Sequence, residues 1–126
     1  MIFGIGTDIV EFARIEKIFT QYGDRFAERI LSKLELDEFK THNNQARFLA
    51  KRFAAKEAFA KAVGTGLREP VSLHRITITH NKLGRPGFLW DKPLQNHLVK
   101  MGIIEHHLSI SDERDLIVAF VVLEGV

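Results

Sequence analysis

Residues 46–63 read ARFLAKRFAAKEAFAKAV and run straight into Gly64. Alanine, lysine and glutamate dominate, and no glycine or proline interrupts. The stretch therefore predicts a long helix that stops at a glycine cap. Phe48, Arg52, Ala55, Phe59 and Ala62 fall on one stripe of that helix, and Phe53, Glu57 and Lys61 fall on another.

Upstream, residues 2–10 alternate weakly and carry Gly4 and Gly6, which suits a strand that another backbone approaches closely. From Glu11 to about Gln21 the period turns helical through Phe12, Ile15, Ile18 and Phe19, and Gly23 breaks it. Asp24 is the expected cap of a short helix carrying Phe26, Ile30 and Leu31, and another helix is expected from Glu35 to Thr41. Downstream the chain reads as sheet. Ile76 and Ile78 alternate with threonines, Asn81–Gly87 supplies a turn before Phe88 and Trp90, and Leu108 and Ile110 alternate with serines. A helix from Pro93 to Met101, ended by Gly102, separates them. Leu116–Leu123 is apolar throughout, the pattern of a strand covered on both faces. In a small sheet, a second subunit is one way to cover the outer face. The expected fold is α+β: a small antiparallel sheet packed against a long central helix, with shorter helices, in an oligomer.

At 126 residues, with 45% apolar and 27% charged content, one domain spanning 1–126 is expected. The chain has no cysteine, which excludes disulfides and thiolate metal sites and is compatible with a reducing cytoplasm, the expected location. No apolar run is long enough for a membrane helix, and the N-terminus lacks the features of a signal peptide. A net charge of +2 is too small to announce nucleic acid. The cations are nevertheless clustered: Arg47, Lys51, Arg52, Lys56, Lys61 and Arg68 suit an acidic partner or a phosphate-rich ligand.

Three segments carry candidate chemistry. Gly4-Ile5-Gly6-Thr7-Asp8 places a carboxylate near the end of a glycine-bearing strand; on spacing alone, Asp8 reads equally well as a helix cap. The G-x-G fragment is not a dinucleotide fingerprint, because Ile9 stands where a third glycine is required. On the long helix Glu57 and Lys61 are four apart, either a solvated pair or, with Arg52 and Lys56, a site for a metal and the phosphates it neutralises. Gly64-Thr65-Gly66 follows. A cap explains the first glycine, and the second would let backbone N–H groups approach phosphate oxygens.

The strings GIGTDIVEFARI (residues 4–15) and FLAKRFAAKEAFAKAVGTG (residues 48–66) together resemble the two signature regions of the holo-acyl-carrier-protein synthases, a family of 4'-phosphopantetheinyl transferases. The turn NKLGRP and the segment HLSISDER complete the resemblance, which spans nearly the whole chain. It implies that Asp8 and Glu57 are the two magnesium-binding carboxylates and that Lys61 stands beside the reacting phosphates. It further implies that Arg52, Lys56, Gly64, Thr65 and Gly66 contact coenzyme A, with Gly84 and Pro86 near its adenosine end. Arg14 and Arg25 would meet an acidic carrier protein. The resemblance also implies a homotrimer with active sites between subunits.

The activity so implied is magnesium-dependent transfer of 4'-phosphopantetheine from coenzyme A to a serine of apo-acyl carrier protein, in support of fatty acid biosynthesis. Two hard carboxylates without soft ligands favour magnesium, or manganese, over zinc. Glu57, directly or through a water it orients, is the expected general base. Many members of the family carry histidine where this chain has Asp112, so no imidazole chemistry is expected there. His106 and His107 are expected to point to opposite sides of a strand and to share no ligand. Two rivals remain at this level. One is a small basic nucleic-acid-binding protein, which the low net charge and the core-like phenylalanines of the helix disfavour. The other is a non-catalytic oligomeric module, which Asp8, Glu57 and Lys61 together disfavour.

Overall fold

A computed structural model describes residues 1–126. β1 (Ile2–Glu11) leads directly into α1 (Phe12–Tyr22), followed by α2 (Asp24–Ile30), α3 (Lys33–Lys40) and α4 (Gln45–Val63). After a 3-10 turn at Leu73–Arg75 come β2 (Ile76–His80), β3 (Pro86–Trp90), α5 (Lys92–Lys100), β4 (Ile103–Asp112) and β5 (Leu116–Gly125). β1, β5 and β4 form an antiparallel sheet with β5 in the centre, while β2 and β3 form a separate hairpin. The α+β architecture around a long helix is as expected, with the strands divided between two sheets.

α4 starts at Asn44, whose side chain accepts a hydrogen bond from Arg47 N, and ends on Gly64 in the left-handed region. Phe48, Leu49, Ala54, Ala58 and Phe59 are all buried along it. Its alanines let β1 lie directly against the helix backbone. A Cβ placed on Gly4 would run into Ala62 O, and one on Gly6 into Ala58 O. The glycine pair thus serves close approach, as the strand reading required. Successive strand side chains alternate, so Gly4, Gly6, Asp8 and Val10 share the helix-facing side while Ile5 and Ile9 face outward.

One expectation is left to the oligomer and one is corrected. Within one chain β5 is covered on one face, which leaves the outer face for the second subunit the sequence reading expected. Ile117, Ala119, Val121 and Leu123 are buried against α4, whereas Leu116 and Phe120 are 43% and 44% exposed. An apolar run states what could be covered; a single helix can cover only one side of a sheet. Asp24 is not a cap: Gly23 holds the cap position of α2, and Asp24 is its first helical residue.

α3 begins at Lys33, ahead of the expected Glu35, because Ser32 and Glu35 form a capping box. Glu35 then does more. Its buried carboxylate also accepts from Lys56 Nζ at 2.6 Å and from Ile78 N at 2.8 Å. Lys56 Nζ donates in addition to Ile30 O and Leu73 O. One buried pair thereby ties α2, α3, α4, the 3-10 turn and β2 together.

Candidate active site

Asp8 and the pair Glu57 and Lys61 meet because the glycines of β1 bring that strand onto α4. Lys61 Nζ donates to Asp8 Oδ1 and to Thr7 O, both at 3.0 Å. The Asp8 side chain is only 15% exposed, that of Lys61 54%. Glu57 is half-buried; burial first, and the neighbouring Asp8 carboxylate second, raise its pKa above the usual carboxylate value, with Lys61 opposing. Gly6 abuts Ala58 O and Lys61 bonds Asp8, so Glu57, one turn before Lys61 on the same helix face, lies on the Asp8 side of α4. No third histidine, cysteine, aspartate or glutamate joins them to make a metal cluster. The donor set fits a hard cation that takes its remaining ligands from water and from a substrate's oxygens.

Other predicted residues lie elsewhere. Lys56 was expected to contact coenzyme A, but it is completely buried and each of its three N–H groups has an acceptor in Glu35, Ile30 or Leu73. The physical reason is its position between Arg52 and Phe59, on the face of α4 that packs into the core. Arg52 is also buried, stacked over the Phe48 ring and bonded to Glu38, yet its Nε has no hydrogen-bond partner.

Gly64 and Gly66 both adopt positive φ, and both of their N–H groups turn back to Ala60 O. They shape the turn rather than offer donors to a phosphate. The Thr65 N–H between them takes no backbone partner. Gly84 sits in the turn after Asn81, whose side chain accepts from Leu83 N and Arg85 N. Pro86 lines a cleft of about 760 Å³ with Arg85 and His106. Arg14 and Arg25 are exposed in the first turns of α1 and α2.

The histidines separate as a strand dictates. His106 packs edge-on against Phe88 and Trp90 and accepts from Phe88 N, while His107 is exposed and meets Glu124. Two participants escaped the sequence reading. Thr7 enters through its carbonyl, for which no side-chain signal exists. Glu35 was legible through the S-x-x-E spacing from Ser32, though its contact with Lys56 was not.

Comparison with known proteins bears on the whole chain. The family model of the 4'-phosphopantetheinyl transferase superfamily matches residues 4–121. A holo-[acyl-carrier-protein] synthase of Laribacter hongkongensis is 54% identical over 99% of this chain and 100% of its own length. The crystal structure of holo-[acyl-carrier-protein] synthase from Neisseria meningitidis superposes with a TM-score of 0.96 at 52% identity, covering 98% of this chain and 99% of that one. The Bacillus anthracis synthase in complex with CoA (3',5'-ADP) superposes with a TM-score of 0.83 at 41% identity, covering 100% and 99%. With the match running from the glycine strand into β5, and with relatives alike over their full length, the chain belongs to the 4'-phosphopantetheinyl transferase superfamily.

Proposed function

We propose that the chain transfers the 4'-phosphopantetheine group of coenzyme A to a serine of an apo-acyl carrier protein, releasing adenosine 3',5'-bisphosphate. The observation that carries this reading is the meeting of Asp8, Glu57 and Lys61 on one patch of β1 and α4. Asp8 and Glu57 would hold magnesium, or manganese. When bound, that ion supplies positive charge against the negative charge that builds on the pyrophosphate oxygens.

Lys61 donates to those same oxygens and steadies the departing phosphate. The carrier serine Oγ forms a bond to the β-phosphorus as the bond to the bridging oxygen breaks. Glu57, directly or through a water it orients, accepts the serine proton. The free Thr65 N–H is the contact proposed for coenzyme A, with Gly64 and Gly66 as the turn that presents it; Arg52, which the resemblance adds, keeps its Nε buried 3.8 Å from Glu35 Oε2 and would reach the ligand only by leaving that position. Gly84 and Pro86 are assigned to its adenosine end; Lys56 leaves the set, since its donors are all used.

The groove of about 610 Å³ on α1 and α2, lined by Ile18, Tyr22, Arg25, Phe26, Glu28 and Arg29, is apolar with two arginines against one glutamate, a balance suited to an acidic helix of the carrier. Arg14 extends that basic surface. Ile5, Ile9, Leu116 and Phe120 on the uncovered sheet face support an oligomer, proposed as a homotrimer with active sites between subunits. The enzyme is expected to work in the cytoplasm and to serve fatty acid biosynthesis. Most cations of the suspected basic patch are paired within the chain, to Asp8, Glu35, Glu38 or Asp112, which weakens a nucleic-acid reading.

Mass spectrometry of apo-acyl carrier protein incubated with the chain, coenzyme A and magnesium should reveal the addition of one phosphopantetheine, lost on chelation. Asp8→Asn and Glu57→Gln should each lower the rate by about two orders of magnitude or more while the chain stays folded. Unmodified carrier would remove the proposal, and full activity in either variant would remove the metal site. In light scattering the same sample is expected at three chain masses.

A further inference from the structure

Asp112 ends β4, and its carboxylate accepts a hydrogen bond from Arg47 Nη1, with Lys51 Nζ 3.9 Å from its other oxygen. The same guanidinium donates to Glu113 O and Arg114 O, both at 3.0 Å, and so grips the whole turn between β4 and β5. Its central carbon lies 4.1 Å from the centroid of the Phe12 ring. Phe12 is the first residue of α1, and its N–H donates to Asp115 O at 2.9 Å.

That helix start is otherwise bare. Glu11 occupies the cap position without a side-chain bond, and the first turn of α1 contains no acidic residue. Helices that lack their own cap need outside acceptors for the orphaned N–H groups. Here the turn after β4 supplies one, and Arg47 pins both the turn and the Phe12 ring. Arg14 belongs to this same turn of helix.

We propose that Arg47 and Asp112 are positioning residues: a clasp that fixes the first turn of α1, and with it Arg14, so that the pair governs docking of the carrier protein and not the binding of coenzyme A. The proposal rests on the reading that Arg14 meets the carrier. An isolated surface ion pair would do little. This one is 22% and 30% exposed, and its planar guanidinium serves three acceptors and an aromatic face at once, which a lysine cannot do.

The experiment uses the full chain with Asp112→Asn, which is nearly isosteric, and Arg47→Met, which keeps the apolar stem. Amide hydrogen exchange at residues 12–15 is expected to quicken by about tenfold in both variants. The KM for apo-carrier should rise roughly three- to tenfold, while the KM for coenzyme A and the kcat at saturating carrier stay within about twofold. Adding Glu11→Asp to Asp112→Asn supplies the missing cap and should restore the carrier KM, a rescue that a merely stabilising role would not produce. Unchanged exchange in both variants, or a parallel rise in the two KM values, overturns the clasp. Arg14→Glu separates the two levels. A carrier KM unmoved by it removes the docking reading; one raised by it yet unmoved by Asp112→Asn overturns the clasp.

Discussion

Lys56 and Lys61 stand five residues apart on α4, and each meets a carboxylate: Glu35 at 2.6 Å and Asp8 at 3.0 Å. A lysine ammonium has three donors. Lys56 spends all three inside the core, whereas Lys61 spends two, on Thr7 O and Asp8, and points its third outward from a half-exposed side chain. Residue type, helix and kind of partner are the same. What separates a structural lysine from a functional one is whether its hydrogen-bonding capacity is exhausted by the chain. Glu35 and Glu57 differ in the same sense: Glu35 is buried under Ser32 N, Lys56 and Ile78 N, and Glu57 keeps a half-open carboxylate beside Asp8.

Lys56→Met gives the strongest break of this comparison. It leaves the buried Glu35 carboxylate with only the more distant Arg52, whose Nε lies 3.8 Å away, and should destabilise the fold by about 3–5 kcal/mol in urea unfolding. A loss within the error of such a measurement would mean that the core pair holds nothing. Lys61→Met should do the reverse: kcat falls by roughly a hundredfold or more, while Tm stays within about 2 °C, because the Lys61 end of the pair is half-exposed and water takes its place on Asp8. Matching melting curves for the two variants would erase the distinction between them.

The smallest expected effect sharpens the comparison in another neighbouring pair, His106 and His107. His106 Nε2 accepts from Phe88 N, so the ring must be neutral in the fold, and burial lowers its pKa below the ordinary 6.5. As pH falls through 6.5 the unfolded chain takes up a proton that the folded chain refuses, and stability declines. His80 shifts in the same direction, so the His106 share is the difference between wild type and His106→Gln, whose amide oxygen can accept the same bond without titrating. That difference should amount to about 2–4 °C in Tm between pH 7 and pH 5.5; identical acid limbs would dismiss it.

Much of this was legible in one dimension. The helix of residues 46–63 and the close-approach glycines could be named from spacing; the trio of Asp8, Glu57 and Lys61 came with the family resemblance, since spacing alone leaves a helix cap and a solvated pair. Lys56 was misread because a cation among cations looks like a ligand, yet the signal was present: Leu49, Arg52, Lys56, Phe59 and Val63 recur at three- and four-residue steps, the period of a packed face. All five are buried. Which side of β5 the chain itself would cover was not legible, since a run of apolar residues looks the same on its packed and its open face.

Gly4 and Gly6 carry this further. They bear no functional group and would touch no substrate, yet a single methyl at either one would collide with a helix carbonyl and push the strand outward. Asp8 rides on that strand, so its separation from Glu57 is inherited from atoms that are missing upstream. A mutational scan scored by turnover would mark both positions as indispensable and would invite the wrong conclusion that they take part in the chemistry.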